Sequence, residues 1–229
     1  MENAAADERP EKILASAAEL FIKVGFRKAN MDELSRGSGV SVGGIYDFFE
    51  NKTCVFYAAL KQIIDHAFCG SITAFPLRQA DFVGLESECT AAMAEFVQTF
   101  GAPLRKRRDD YTYADMLSDA FDMLSPFGMG SLLLKANPRV CPVVFKYFNK
   151  TCVELHKLFD GYLRLFQSRG EIRPLADTDL PARFLLESIY WWGSMIHYKD
   201  FDPANAHIPR DLAKLVCTQA LYRAYSNKQ

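Results

Sequence analysis

The sequence predicts an all-α protein, with a small N-terminal unit of short helices followed by a larger helical bundle. Apolar residues recur at intervals of three and four along almost the whole chain, which is the period of an amphipathic helix. No convincing run alternates apolar and polar residues as a half-buried strand would, and no Asn-Gly hairpin turn occurs. Both observations favour helices throughout the 229 residues.

Composition narrows the class of protein. Hydrophobic residues make up 49% and charged residues 24%, as in an ordinary globular protein. The 27 Lys and Arg are balanced by 28 Asp and Glu, so any contact with nucleic acid must come from a local patch. No apolar run is long enough for a transmembrane helix, and the acidic N-terminus lacks the apolar segment of a secretory signal. The six cysteines are scattered, which is typical of reduced thiols in a cytoplasmic protein without membrane association.

Capping residues divide the N-terminal region into short helices. Gly25 is predicted to end a first helix, since glycine is favoured just after a helix C-terminus. Asn30 is followed three places later by Glu33, a capping-box pattern that opens a helix over 31–38. Ser41 is a good N-cap for a third helix, and Asn51 for a fourth. The apolar face of the first helix consists of Ile13, Leu14, Ala17, Ala18, Phe21 and Val24.

Longer helices are predicted for the rest of the chain. Gly101 and Pro103 are expected to end the first of them, and Gly170 the longest. The predicted ranges are 82–100, 111–124, 129–136, a long helix after Pro138 that ends at Gly170, a helix from about 179 to 198, and a helix from about 209 to 225. The predicted domains are residues 8–68 and 69–229.

The helices over 31–50 are joined by a tight turn that contains Gly39. Two short helices in this arrangement form a helix-turn-helix, which places the N-terminus of its second helix at the major groove of DNA.

This pattern resembles the DNA-binding domain of the tetracycline-repressor (TetR) family. The resemblance covers residues 10–62 and depends on fixed positions at fixed spacing: Gly39, Val40, Ser41, Gly43, Ile45, Tyr46, Phe49 and Lys52. It implies a ligand-responsive transcriptional regulator, most often a repressor, that binds palindromic double-stranded operator DNA as a homodimer. The C-terminal bundle would then bind a small-molecule effector and form the dimer.

Candidate DNA-binding residues follow from chemistry and from the resemblance. The Ser41 hydroxyl and the free N–H groups of its helix can meet a phosphate, and Lys52 is a phosphate contact by charge. Glycine at 43 would allow close backbone approach, and Val42 could contact a thymine methyl. The full predicted set is Lys28, Asn30, Ser41, Val42, Gly43, Gly44, Tyr46 and Lys52.

Charge limits the expected attraction to DNA. Residues 1–65 contain Lys or Arg at 9, 12, 23, 27, 28, 36, 52 and 61, against ten Asp and Glu. Asp47 stands beside Tyr46 and would repel phosphate. We therefore expect modest attraction per protomer, which a dimer must sum.

The aromatic residues of the bundle suggest a pocket for a largely apolar or aromatic effector. The predicted lining consists of Tyr113, Phe148, His156, Phe159, Glu187 and Trp191, with His197 as a further polar candidate. The alternative is that the aromatics close a solid core and the polar residues lie on the surface.

The last two helices are predicted to form the dimer interface. One of them carries two adjacent apolar stripes, more than a single neighbouring helix covers. The predicted interface residues are Leu185, Ile189, Trp192, Ile196, Leu212, Leu215 and Tyr222.

No enzyme signature emerges from the sequence. Cys152 and His156 have the spacing of two metal ligands, but no third ligand stands nearby, so we predict neither a metal nor a cofactor. The basic run 105–108 is interpreted as a solvated loop. A helical interaction module, or an enzyme that retains the three-helix unit for packing only, is the alternative function.

Overall fold

The computed structural model describes residues 8–197, 204–205 and 207–227. Over these residues the chain is helical and contains no strand, only two isolated bridges, which confirms the all-α prediction. Within the same residues, no helix is both long and apolar enough to cross a membrane.

The helices are numbered in chain order. Their bounds are α1 Arg9–Val24, α2 Met31–Ser38, α3 Val42–Phe48, α4 Lys52–Ile64, α5 Phe68–Ser71, α6 Leu85–Arg105, α7 Tyr113–Leu124, α8 Gly128–Ala136, α9 Pro142–Ser168, α10 Asp179–Gly193 and α11 Arg210–Tyr225. Short 3-10 turns lie at Gln79–Phe82, Ser125–Phe127 and Met195–His197.

The chain forms two compact units. The first contains the described residues up to Ala91 together with Met129–Lys146, and the second contains Ala92–Gly128 and the described residues from Tyr147 onward. The first unit is therefore larger than the predicted segment 8–68, because residues 69–91 and 129–146 pack with it. Compact units do not show which residues bind DNA. The end of the DNA-binding domain at residue 68 therefore stays a prediction.

Local capping explains the N-terminal helices. Asn30 accepts a hydrogen bond from the Glu33 amide at 2.9 Å, and Asn51 accepts one from the Cys54 amide at 3.0 Å. Gly39 ends α2 with a φ of +71°, which a residue with a Cβ adopts only with strain. The predicted caps of α2 and α4 are thus confirmed.

The core of the first unit forms where α1 packs against α2 and α4. Three aromatic rings, Phe21, Phe26 and Phe56, lie 5.4–5.6 Å apart between their centroids. The α1–α2 contact is close at Gly37, where an added Cβ would force the Ser16 hydroxyl to rotate away. The largest fully buried side chains of α1–α4 and the adjoining turns are Ile13, Phe21, Leu34, Ile45, Phe49 and Phe56.

Two predicted helix ends were wrong. Helix α6 continues through Gly101 and Pro103 to Arg105. Gly101 serves packing instead of termination, because an added Cβ would lie 2.9 Å from the Leu158 side chain. Helix α10 ends at Gly193 instead of near residue 198, and Tyr198 lies outside the described residues.

The second unit is organised around aromatic side chains. Helices α7, α10 and α11 pack against one another, and the inner face of the second half of α9 completes the core. Buried rings in this core include Phe100, Tyr113, Phe121, Phe159, Tyr162 and Phe166.

Candidate DNA-binding surface

Helix α3 has one buried side and one side open to solvent. Ile45 and Phe48 are buried in the first unit, whereas the Tyr46 side chain is 44% exposed. The Ser41 hydroxyl accepts a hydrogen bond from the Gly44 amide at 3.1 Å, so it caps the first turn. The solvent-facing side of this turn is the part of a recognition helix that contacts base edges.

The two glycines of α3 have different roles. An added Cβ at Gly43 would meet no atom within 4 Å, so the fold itself does not require glycine there. An added Cβ at Gly44 would lie 3.0 Å from Val40 Cγ1 and 3.1 Å from the Ser41 hydroxyl. Gly44 therefore protects the cap, and Gly43 is the position where the backbone is open to a partner. Val42, beside them, is half-buried.

Lys28 and Asn30 stand at the entry to α2, and both are exposed. The side-chain oxygen of Asn30 caps α2, so the donor that Asn30 offers a partner is its side-chain NH2 group. Because Lys28 is positively charged and exposed, it stays a candidate phosphate contact.

Lys52 has a structural role that the sequence did not indicate. Its ammonium group donates to the carbonyl oxygens of Phe26 and Ala29, each at 2.8 Å, and lies 4.7 Å from the centre of the Phe26 ring. Two of its three protons therefore hold the turn between α1 and α2. A phosphate contact through the remaining proton stays a prediction.

Asn137 holds the same turn from a distant part of the chain. Its side-chain oxygen accepts a hydrogen bond from the Phe26 amide at 2.6 Å. Its amide group donates to the carbonyls of Phe21 at 3.0 Å and Leu133 at 2.9 Å, and the residue is 5% exposed. The sequence carries no signal for this contact, because 111 residues separate Asn137 from Phe26.

Two of the predicted pocket residues belong to the solid core of the second unit. Tyr113 is buried, and its hydroxyl donates to the Leu221 carbonyl at 3.1 Å while its ring stacks 5.9 Å from Tyr222. Phe159 is also fully buried, 5.3 Å from the Phe100 ring. Both side chains therefore fill the core in this conformation.

The remaining predicted pocket residues are not brought together. Glu187 and Trp191 are exposed on α10, which corrects the prediction that Glu187 orients a ligand inside the bundle. His156 Nε2 lies 3.1 Å from the Asp179 carbonyl oxygen and 3.4 Å from its carboxylate, so it already has a partner. Phe148 is partly buried on α9.

Other buried polar atoms in the second unit lack a partner among the described residues. These are Thr151 Oγ1 and His197 Nε2. Burial, assisted by the charge of Arg210, lowers the pKa of His197 below its ordinary value. An unsatisfied buried polar atom costs free energy, so these two atoms are better candidates for meeting a ligand than Glu187.

The predicted dimer face is corrected in part. Leu185, Ile189 and Ile196 are at most 2% exposed and pack in the core of their own protomer. Trp192 and Tyr222 are partly buried against the same core. Leu185, Ile189 and Ile196 therefore stabilise the protomer and form no exposed face, whereas an interface role for Trp192 and Tyr222 stays a prediction.

A different set of apolar side chains is exposed on the last two helices. Leu212 and Leu215, which were predicted for the interface, are 49% and 51% exposed. On α10 the exposed stripe is displaced by one position from the predicted stripe. The exposed apolar residues of the two helices are Leu180, Phe184, Trp191, Leu212, Leu215 and Val216.

The cysteines form no disulfide. Burial raises the pKa of both Cys89 and Cys141 to about 12, so these thiols stay protonated near neutral pH.

Comparison with known proteins supports the helix-turn-helix directly. Residues 13–59 match the family model of bacterial regulatory proteins of the tetR family. Over 64 residues the chain is 34% identical to the transcriptional activator FasR of Mycolicibacterium smegmatis, which is 28% of this chain and 29% of FasR. Over 59 residues it is 30% identical to the transcriptional regulator HbdR of Aromatoleum sp., which is 26% of each chain. The matched segments thus span less than a third of these relatives.

A solved structure extends the likeness in fold to the whole chain. The ketosteroid transcriptional regulator KstR2 of Mycobacterium tuberculosis matches with a TM-score of 0.51 and 14% sequence identity, over 98% of both chains. At this identity the match bears on the fold alone. Residues 13–59 thus form a helix-turn-helix of the tetR family of bacterial regulatory proteins, and the rest of the chain shares the all-helical fold of KstR2.

Proposed function

We propose that the chain is a ligand-responsive repressor, which binds palindromic operator DNA as a homodimer and is released by a small, largely apolar or aromatic effector. The observation that carries the proposal is the solvent-facing first turn of α3, with its Ser41 cap, the open backbone at Gly43 and the exposed Tyr46 side chain. Free N–H groups at a helix N-terminus favour phosphate, and a bare backbone admits close approach.

The exposed charges near α3 determine how strongly the protein should be attracted to the phosphates of DNA. Arg27, Lys28 and Arg36 are exposed in the first unit, whereas Lys52 donates to main-chain carbonyls. Each phosphate contact adds about 0.9 to the salt dependence of binding to double-stranded DNA. We therefore expect a shallow salt slope per protomer, with a dimer needed to reach the affinity of a specific operator.

Dimerisation is supported by the exposed apolar residues of α10 and α11. Phe184 and Trp191 on α10 are 56% and 41% exposed, and α11 adds Leu212 and Leu215. Contiguous exposed apolar patches on a protein surface often mark interfaces. A twofold axis through this face would give two copies of α3, suited to half-sites one helical turn apart or a multiple of it.

The effector is proposed to bind within the second unit. The aromatic core favours a ligand with rings or alkyl groups. Two buried atoms without a hydrogen-bond partner among the described residues, His197 Nε2 and Thr151 Oγ1, could fix its polar group. Binding would favour a conformation in which the two copies of α3 no longer match successive major grooves. Such a ligand must bind the released conformation more tightly than the DNA-bound one.

The proposed sign of regulation is repression. One relative, FasR, is named an activator, and its similarity to this chain is confined to the DNA-binding segment. Repression is proposed because release by a ligand requires only loss of operator binding. Transcription in vitro from a promoter that carries the operator would distinguish the two signs.

The direct test is selection of duplexes from a random library by the full-length protein, followed by a salt titration of the selected duplex. We expect a palindromic sequence, bound with an affinity that falls as salt rises. Absence of any selected sequence would reject the regulator and favour the alternative, a helical interaction module or an enzyme with a three-helix unit used for packing.

A further inference from the structure

A segment outside the helix-turn-helix packs against the end of α3. Residues 72–78, named the strap here, follow α5 and return to the last turn of the recognition helix. The Leu77 amide donates to the Phe48 carbonyl at 2.8 Å, and the Glu50 amide donates to the Leu77 carbonyl at 2.9 Å. These bonds form an isolated parallel bridge between Phe49 and Leu77.

Side chains reinforce this contact on both sides of Phe48. The Phe75 ring packs edge-on against the Phe48 ring, with 4.8 Å between centroids. The Arg9 guanidinium lies over the same ring at 4.9 Å. Leu77 is buried, whereas Phe75 remains 39% exposed. The strap therefore contacts the C-terminal end of α3 through the amide and the carbonyl of Leu77 and through the ring of Phe75.

Helix α3 needs such support because its own sequence is a poor helix former. It has seven residues, two of them glycine, and glycine destabilises a helix relative to alanine. Isolated helices of this length are not stable in water. The Phe48 carbonyl is also one of the terminal carbonyls that no residue inside the helix can satisfy, and Leu77 provides its partner.

We propose that the strap is a brace that fixes the orientation of the recognition helix, with Phe75 as a positioning residue for sequence-specific DNA binding. The brace lies beyond residues 13–59, the segment matched by the family model. Its effect on DNA depends on the proposed function, but its effect on α3 does not. Loss of the brace should lower the fraction of molecules in which α3 is ready to bind, and apparent affinity falls in proportion to that fraction.

The test compares Phe75→Ala with Val83→Ala in the full-length protein. Val83 is a matched control because it is 87% exposed and lies outside the strap, in the same part of the chain. Hydrogen exchange without DNA is measured first. For Phe75→Ala we expect faster exchange in peptides that cover residues 42–50, with unchanged exchange in α1. Unchanged exchange in both variants would overturn the brace, whatever the protein does with DNA.

Binding is then measured on the duplex selected by the wild-type protein and on an unrelated duplex of equal length. Because affinity follows the ready fraction, loss of an edge-to-face aromatic contact of ordinary strength lowers affinity by up to about two- to tenfold. We expect this loss for Phe75→Ala on the selected duplex only, with recovery in Phe75→Trp and a melting temperature close to that of Val83→Ala. Equal losses on both duplexes, or none on the selected one, would overturn the positioning role. A wild-type protein that selects no duplex, yet shows the exchange difference, would reject the regulator and leave the brace standing.

Discussion

Asn137 allows a quantitative test of how the turn before the helix-turn-helix is held. The change to alanine removes one acceptor and two donors at once. The Phe26 amide loses its only described acceptor, whereas the Phe21 carbonyl still accepts from the Gly25 amide at 3.1 Å. The main loss is therefore the partner of the partly buried N–H of Phe26, together with the anchor to the carbonyl of Leu133.

The expected magnitude follows from the burial of these groups. An unsatisfied buried donor costs about 1–3 kcal/mol, and the lost bonds to carbonyls add about 1 kcal/mol. Partial access of water to Phe26, which is not fully buried, should reduce the sum. We expect Asn137→Ala to lower the free energy of unfolding by about 2 kcal/mol.

The assay is urea unfolding followed by circular dichroism, with Asn149→Ala as the control. Asn149 is exposed on α9, so the same deletion there should change the free energy of unfolding by less than about 0.5 kcal/mol. The turn should also exchange its amide protons faster over residues 21–30 in Asn137→Ala. Equal unfolding midpoints for the two variants would refute the role assigned to Asn137.

Three further predictions concern charge, assembly and pH. Lys28→Ala should lower the slope of log affinity against log salt concentration by about one unit without changing stability. Lys52→Ala should instead destabilise the first unit, because two carbonyls lose their donor. Salt titrations paired with thermal melts distinguish the two variants. Phe184→Glu should produce folded monomers in light scattering, whereas Ile189→Glu should unfold the second unit, since it places a charge at a fully buried position. Because the pKa of His197 is lowered in the folded chain, the unfolded chain takes up a proton first as the pH falls. The free energy of unfolding should therefore fall as the pH drops through about 6.5. His197→Gln should remove part of this pH dependence when denaturation is measured at pH 7.5 and 5.5, and an unchanged dependence would contradict the assignment.

Local signals explain which parts of the fold could be predicted from sequence. The caps at Asn30 and Asn51, and the glycine at 39, act within a few residues of their positions, so their chemistry is visible in the sequence. The helix period gives the existence of the bundle helices in the same way. Gly101 was misread because a glycine that ends a helix and a glycine that packs against a neighbour look alike until Leu158 is in place.

Helix α10 illustrates a limit of periodicity. It carries apolar residues on two adjacent stripes, and both satisfy the spacing of an amphipathic helix. The stripe with Leu185 and Ile189 faces the protomer core, and the stripe with Phe184 and Trp191 is exposed. Periodicity alone cannot decide between them, because the buried stripe depends on where α7 and α11 pack against α10.

The weak charge of the first unit explains why the supports of α3 matter. A regulator with many free cations can hold DNA through phosphate contacts that tolerate small errors in position. Here Lys52 contacts carbonyls, Asp47 is exposed on α3 and Glu50 is exposed just after it, so we expect a small phosphate attraction. Specific affinity must then come from close fit in the groove, which a displacement of about 1 Å would spoil, since hydrogen bonds to base edges weaken steeply with distance and angle. The contacts made by Lys52, Asn137 and Leu77 fix the turn before α2 and the end of α3. We therefore expect positioning, more than charge, to supply specific DNA affinity in this chain.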